Sequence, residues 1–221
     1  MRKVFLLILI ALLPLGFKAA EVVPVTGYSA CQELYEEIGL DSLVDYSTFE
    51  VAYNGFNKVT GRKKDILALV DFSKPSTQER LFVIDMGHRR LLFSTYVAHG
   101  KNSGGNYATS FSNAPRSHKS SLGFYLTENT YNSRRNGYSL QLAGLEKGFN
   151  DRAMERGVVM HGAAYVNEGL IPGAGRIGRS FGCPAVPADK NEEIIDTIKG
   201  GAVLFIYAND TNYQKNSRFV R

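Results

Sequence analysis

The chain contains no tryptophan, two cysteines (Cys31 and Cys183) and four histidines among 221 residues. The scarcity of cysteine and histidine argues against zinc. A site built on any Cys–His pair here needs further ligands, and none is spaced to supply them. There are no internal repeats, which excludes solenoid and propeller arrays, and no composition break after residue 60. Excess positive charge is also scarce outside the first twenty residues. Arg2, Lys3 and Lys18 carry three of the net five positive charges, leaving about +2 for the remainder, so nothing in the sequence asks for nucleic acid. What remains is an ordinary globular composition, 44% hydrophobic and 21% charged, with 12 tyrosines and 13 phenylalanines that lean towards strands.

The first twenty residues read as a separate object. A basic start, an apolar run from Val4 to Phe17 and the small residues Ala19 and Ala20 fit a secretory signal peptide at 1–20. The other reading is an uncleaved N-terminal anchor, although the apolar run is short for a span. Export would permit a disulfide between Cys31 and Cys183.

Helical spacing is expected from Tyr28 to about Val59, in CQELYEEIGL and in STFEVAYNGFNKV. The second segment carries a capping-box pattern, Ser47 with Glu50. Short apolar runs then predict strands at 65–72, 80–86, 91–100, 122–127, 138–144, 157–162 and 202–208, with a short amphipathic helix at 189–199. The fold expected is mainly β (α+β), mostly antiparallel, with a helical segment at 21–60 and a catalytic-type domain at 61–221. Between two of the strands, residues 100–121 form a long polar stretch, either a mobile loop or a functional one.

Cys183 lies in GRSFGCPAVP, Gly178 to Pro187. A structural disulfide tolerates almost any flanks, whereas these are constrained. Glycine before the cysteine allows a tight turn, Pro184 fixes the backbone after it, and such a turn offers main-chain N–H groups to an oxyanion. A free thiol with pKa near 8.5 needs a base. His161 ends the apolar run GVVM and stands 22 residues before Cys183, which makes it the best candidate, against the reading of an incidental core histidine. His99 is a lesser candidate, His88 lies in a turn, and His118 is expected to be exposed in the polar loop. The G-x-G-x-x-G at 173–178 lacks the preceding strand and following helix of a nucleotide site, and is expected to be a flexible loop over the active site.

HGAAYV (161–166) and GRIGRSFGCPAVP (175–187) resemble the YkuD-type L,D-transpeptidase catalytic domain, in particular the murein branch with a G-R-S-x-G-C-P-A motif. Asp71-Phe72-Ser73, the VAHG…SG stretch (97–104), FSN (111–113), SSLGFY (120–125), SLQLAGLEKGFND (139–151) and KGGAVLFIY (199–207) extend the resemblance over about residues 28–208. It implies a single β-sandwich or barrel-like catalytic domain. Cys183 would be the nucleophile, His161 its base, and the Gly162 carbonyl the group that orients the imidazole. Ser180 and Gly182 would shape the oxyanion turn, and Arg179 would hold a substrate carboxylate. The implied substrate is a peptidoglycan stem peptide, attacked through a cysteine thioester without metal or organic cofactor, by a protein exported to the periplasm or cell envelope. Phe181 and Ala185 depart from the wider family, in which a histidine often precedes the glycine. Stem trimming by an L,D-carboxypeptidase, a non-catalytic wall binder of the same fold and an exported Cys/His protease remain as other readings. If Cys183 acts as a thiolate, Cys31 is expected to be buried and unbonded.

Overall fold

The computed structural model describes residues 29–221, and the signal-peptide reading lies outside them. Two helices come first, α1 (Ala30–Ile38) and α2 (Tyr46–Lys58). Eight strands follow: β1 (Ile66–Asp71), β2 (Leu81–Asp85), β3 (Arg90–Thr95), β4 (Gly123–Ser133), β5 (Gly137–Gly144), β6 (Val159–Ala163), β7 (Ala185–Pro187) and β8 (Val203–Tyr207). A short 3₁₀ turn at Glu168–Leu170 and α3 (Ile171–Ala174) separate β6 from β7. The last helices are α4 (Asn191–Ile198), between β7 and β8, and α5 (Thr211–Asn216).

All eight strands form one mixed sheet in the order β3-β2-β1-β8-β4-β5-β6-β7. Its pairings are antiparallel except β1 with β8 and β6 with β7. The two edges nearly meet, because the chain leaving β3 forms an antiparallel bridge from Ala98 to Ala185 of β7. The sheet is therefore almost closed, which removes most of the exposed strand edge. The mainly β, barrel-like architecture with a helical N-terminal segment is the one expected.

β8 sits centrally and every residue of VLFIY is buried, as is nearly all of β1. Strands covered on both faces read as continuous apolar runs rather than alternating ones. Across β4 and β8, Phe124 and Phe205 pair in register and stack with ring centroids 3.9 Å apart. Helix α2 lays Phe49, Ala52 and Phe56 on this face, and Gly55 leaves the room that the Phe124 ring fills. The helix starts two residues earlier than the Ser47 capping pattern suggests: Asp45 is the N-cap, without a side-chain cap bond. In α1, Ser29 accepts the Gln32 N–H, and Cys31 points into the core, 5% exposed.

Candidate active site

The turn from Gly178 to Pro184 is held on three sides. Gly178 donates to the Tyr165 carbonyl at 2.7 Å, and Ser180 donates to the His99 carbonyl at 2.9 Å. Lys101 donates back to the Ser180 carbonyl at 2.8 Å. Inside the turn, Ser180 Oγ donates to the Cys183 carbonyl at 2.6 Å and accepts the Gly182 N–H at 3.0 Å. Ser180 is 4% exposed, so these bonds are shielded from water and brace the turn from within. Gly182 has φ 125°, and a Cβ there would stand 2.9 Å from the Lys119 carbonyl oxygen. Gly100 lies against it, since a Cβ on Gly100 would meet the Gly182 Cα at 3.0 Å and the His118 carbonyl oxygen at 2.5 Å. Two backbones can approach this closely only without side chains.

Cys183 is free and half-buried, and so is not linked to the buried Cys31. Its Sγ accepts the Val159 N–H at 3.5 Å from the start of β6. Two residues further along the same strand, on the same face, stands His161, 5% exposed. Both side chains line one cavity of about 600 Å³. His161 Nδ1 lies 3.0 Å from the Gly162 carbonyl oxygen. A carbonyl only accepts, so Nδ1 carries the proton and Nε2 keeps its lone pair. Burial pushes His161 below its ordinary 6.5; the Gly162 carbonyl opposes this, while the Arg135 charge adds to it. Burial also pushes the Cys183 thiol up, against the pull of the Val159 N–H and of Arg156 and Arg135. At neutral pH the site therefore rests as a neutral thiol and a neutral imidazole.

Of the other residues singled out from sequence, Gly162 contributes its carbonyl. Gly182 spends its N–H on Ser180, while the Cys183 N–H has no acceptor among the described residues. Arg179 lines the cavity but commits part of its guanidinium, donating to the Lys101 and Gly104 carbonyls at 3.0 and 2.8 Å. His99 is fully buried behind the turn: Arg80 Nη2 donates to its Nδ1 at 2.8 Å, and its Nε2 points to the Gly104 carbonyl at 3.4 Å. His88 is exposed and bonded to Asp85 at 2.9 Å.

Two expectations are corrected, and the polar stretch takes the second of its two readings. His118 is half-buried, lines the cavity and lies 4.7 Å from the Phe181 ring. The stretch 173–178 is no open glycine loop, because α3 and its left-handed cap at Gly175 occupy the first half of it. Residues 100–121 are tied to the site: Arg156 donates to the Ser112 and Lys119 carbonyls, both at 2.8 Å, and to Ser121 Oγ. Arg116, Arg135, Arg156 and Tyr165, all on the cavity wall, were not foreseen, because they lie in polar connectors without periodicity. Among the described residues no three His, Cys, Asp or Glu side chains are grouped to hold a metal, and no helix is long and apolar enough to cross a membrane.

These features define the class as a nearly closed β domain presenting a free thiol and an imidazole to one cavity. The chain belongs to the L,D-transpeptidase catalytic domain family, whose model matches residues 40–207. Similar solved structures include an L,D-transpeptidase from Mycobacterium smegmatis, 13% identical, with TM-score 0.42 and 65% of this chain and 59% of that chain covered. L,D-transpeptidase 3 from Mycobacterium tuberculosis is 12% identical, with TM-score 0.39, 65% of this chain and 61% of that one. An L,D-transpeptidase from Stackebrandtia nassauensis is 15% identical, with TM-score 0.41, 81% of this chain and 76% of that one. The chain spans about three fifths of the length of the first two. No curated protein matches the sequence.

Proposed function

We propose that this protein is an exported, cysteine-dependent L,D-transpeptidase that remodels peptidoglycan in the periplasm or cell envelope. The observation that carries the reading is the free Cys183 thiol sharing a cavity with His161, whose Nδ1–H is tied to the Gly162 carbonyl. That bond leaves Nε2 as the basic atom. His161 Nε2 removes the thiol proton as Cys183 Sγ attacks the carbonyl of the third residue of a stem peptide. The C–N bond to the terminal D-alanine breaks, and the imidazolium returns its proton to the leaving amine. A thioester remains on Cys183, and the amine of a second stem attacks it to regenerate the thiol. Two easier steps thereby replace one difficult amide exchange.

The N–H of Cys183 has no acceptor among the described residues and serves the developing oxyanion, while Gly182 gives the turn its shape through φ 125° and its bond to Ser180. Arg179 steadies the substrate end of the turn through its bonds to residues 101 and 104 and presents its remaining N–H groups to a carboxylate. The domain reading is 1–20 signal peptide, 21–60 helical segment and 61–221 catalytic domain. Muropeptide analysis with the wild type and Cys183→Ser tests the reaction. Cross-links between third residues that appear only with the wild type support transpeptidation. Trimmed tripeptides alone assign the protein as an L,D-carboxypeptidase, with water as the acceptor. No product dependent on Cys183 refutes the enzyme reading.

A further inference from the structure

The cavity that holds Cys183 and His161 has a one-sided charge. Arg116, Arg135, Arg156 and Arg179 line it, together with His118, and no aspartate or glutamate does. Two of these cations have evident structural duties. Arg156 straps residues 112–121, and Arg179 fastens residues 101–104. The other two do not: among the described residues, neither the Arg116 nor the Arg135 guanidinium makes a hydrogen bond or ion pair, and both residues are exposed. They come from separate loops, Arg116 from the polar stretch after β3 and Arg135 from the turn between β4 and β5, yet they face the same space. Arg135 is placed by contact with an aromatic ring: its guanidinium lies 4.8 Å from the centroid of Phe181, and Lys101 Nζ lies 4.5 Å from the same ring. Phe181 is 48% exposed within the nucleophile turn, so the turn itself offers the apolar surface that holds these cations at the mouth.

Four guanidinium groups around one cavity with no counter-charge repel one another and favour an anion among them. A planar guanidinium pairs best with a carboxylate, by two parallel N–H···O bonds. We propose that Arg116 and Arg135 are specificity-determining residues: they form a carboxylate clamp at the cavity mouth that selects an acyl donor with a free, unamidated side-chain carboxylate on the residue whose carbonyl is attacked. This rests on the stem-peptide reading and deepens it. A lysine-type side chain, ending only in an amine, is repelled by the same wall. Arg135 shares the cavity with Cys183 and His161, and its charge acts on both of them.

The test measures binding apart from chemistry. Cys183→Ala protein is titrated by calorimetry with two synthetic stem tetrapeptides that differ only in the third side chain, one carrying a carboxylate and the other its carboxamide. The acid is expected to bind about tenfold more tightly at low ionic strength, by the worth of a partly exposed charge-assisted pair, and the preference shrinks as salt is added. In Cys183→Ala carrying Arg116→Gln and Arg135→Gln the preference disappears, while affinity for the amide is kept. Both arginines are exposed, so the variants retain the fold, checked by an unchanged Tm. Equal binding of the two peptides, a preference that survives in the double variant, or no binding of either overturns the clamp. Turnover of the acid by the otherwise wild-type chain is read separately: a binding preference without turnover upholds the clamp and sinks the enzyme reading.

Discussion

Behind the Cys183 turn, His99 makes the molecule sensitive to acid in a way that can be worked out. It is fully buried, with Arg80 Nη2 donating to Nδ1 at 2.8 Å. Arg80 is itself buried and held by the Val97 carbonyl through Nε at 3.0 Å and Nη2 at 2.8 Å, so it cannot retreat. Protonating His99 turns its Nδ1 into a donor facing a donor and adds a second positive charge beside Arg80, with Arg179 also near. Burial first, then the Arg80 charge, hold the imidazole pKa down at about 4, from an ordinary 6.5, while the Gly104 and Gly105 carbonyls pull the other way. A depressed histidine pKa means that the unfolded chain binds the proton first. The stability from neutral His99 is therefore full above 6.5 and is lost as pH falls towards 4. Integrated over that window, the loss amounts to about 3 kcal/mol by pH 4. Denaturant unfolding of the wild type and His99→Gln between pH 7.5 and 4 isolates the effect, because glutamine keeps an acceptor and a donor without titrating. The wild type should lose about 3 kcal/mol more than the variant over this range. Parallel stability curves for the two proteins would refute the reasoning.

His161→Gln is expected to slow thioester formation by about 10²- to 10⁴-fold with little change in Tm, measured by single-turnover assay of both proteins. In the wild type the same rate should rise with pH through a pKa below 6.5, because the neutral imidazole is the active form and burial lowers its pKa; a rate that falls across this range argues against a basic His161. Gly182→Ala forces a side chain onto φ 125° and to within 2.9 Å of the Lys119 carbonyl oxygen, and should cost about 1–3 kcal/mol of stability together with most of the activity, measured by unfolding and by donor turnover. Cys31→Ala removes a buried sulfur from α1, far along the chain from the cavity, and should cost about 1 kcal/mol while leaving turnover unchanged.

Strongly apolar segments were readable from the sequence because their burial is dictated locally. DILALVDF and AVLFIYA became β1 and β8 in the centre of the sheet, and the aromatic face of 47–59 became the packed face of α2. The Cys183 turn was readable because a turn that tight leaves glycine and proline in the sequence. Strand β7 was not, since its three residues carry no period and its pairings come from elsewhere: parallel to β6 and bridged to Ala98. The same holds for the cavity wall. Arg116, His118, Arg135 and Arg156 sit in polar connectors whose direction is set by bonds to distant backbone, such as those of Arg156 to residues 112 and 119. His99 was ambiguous for a related reason: such a histidine reads the same whether it faces a ligand or, as here, the buried Arg80 just before β2.

Intact-mass and peptide-mapping analysis of the wild type quenched in acid after brief exposure to a stem tetrapeptide tests the central claim most directly. A single adduct equal to the donor less its terminal D-alanine, mapped to the residue 183 sulfur and missing from Cys183→Ala, is the predicted result. An adduct on another residue, or donor cleavage that persists in Cys183→Ala, would contradict it.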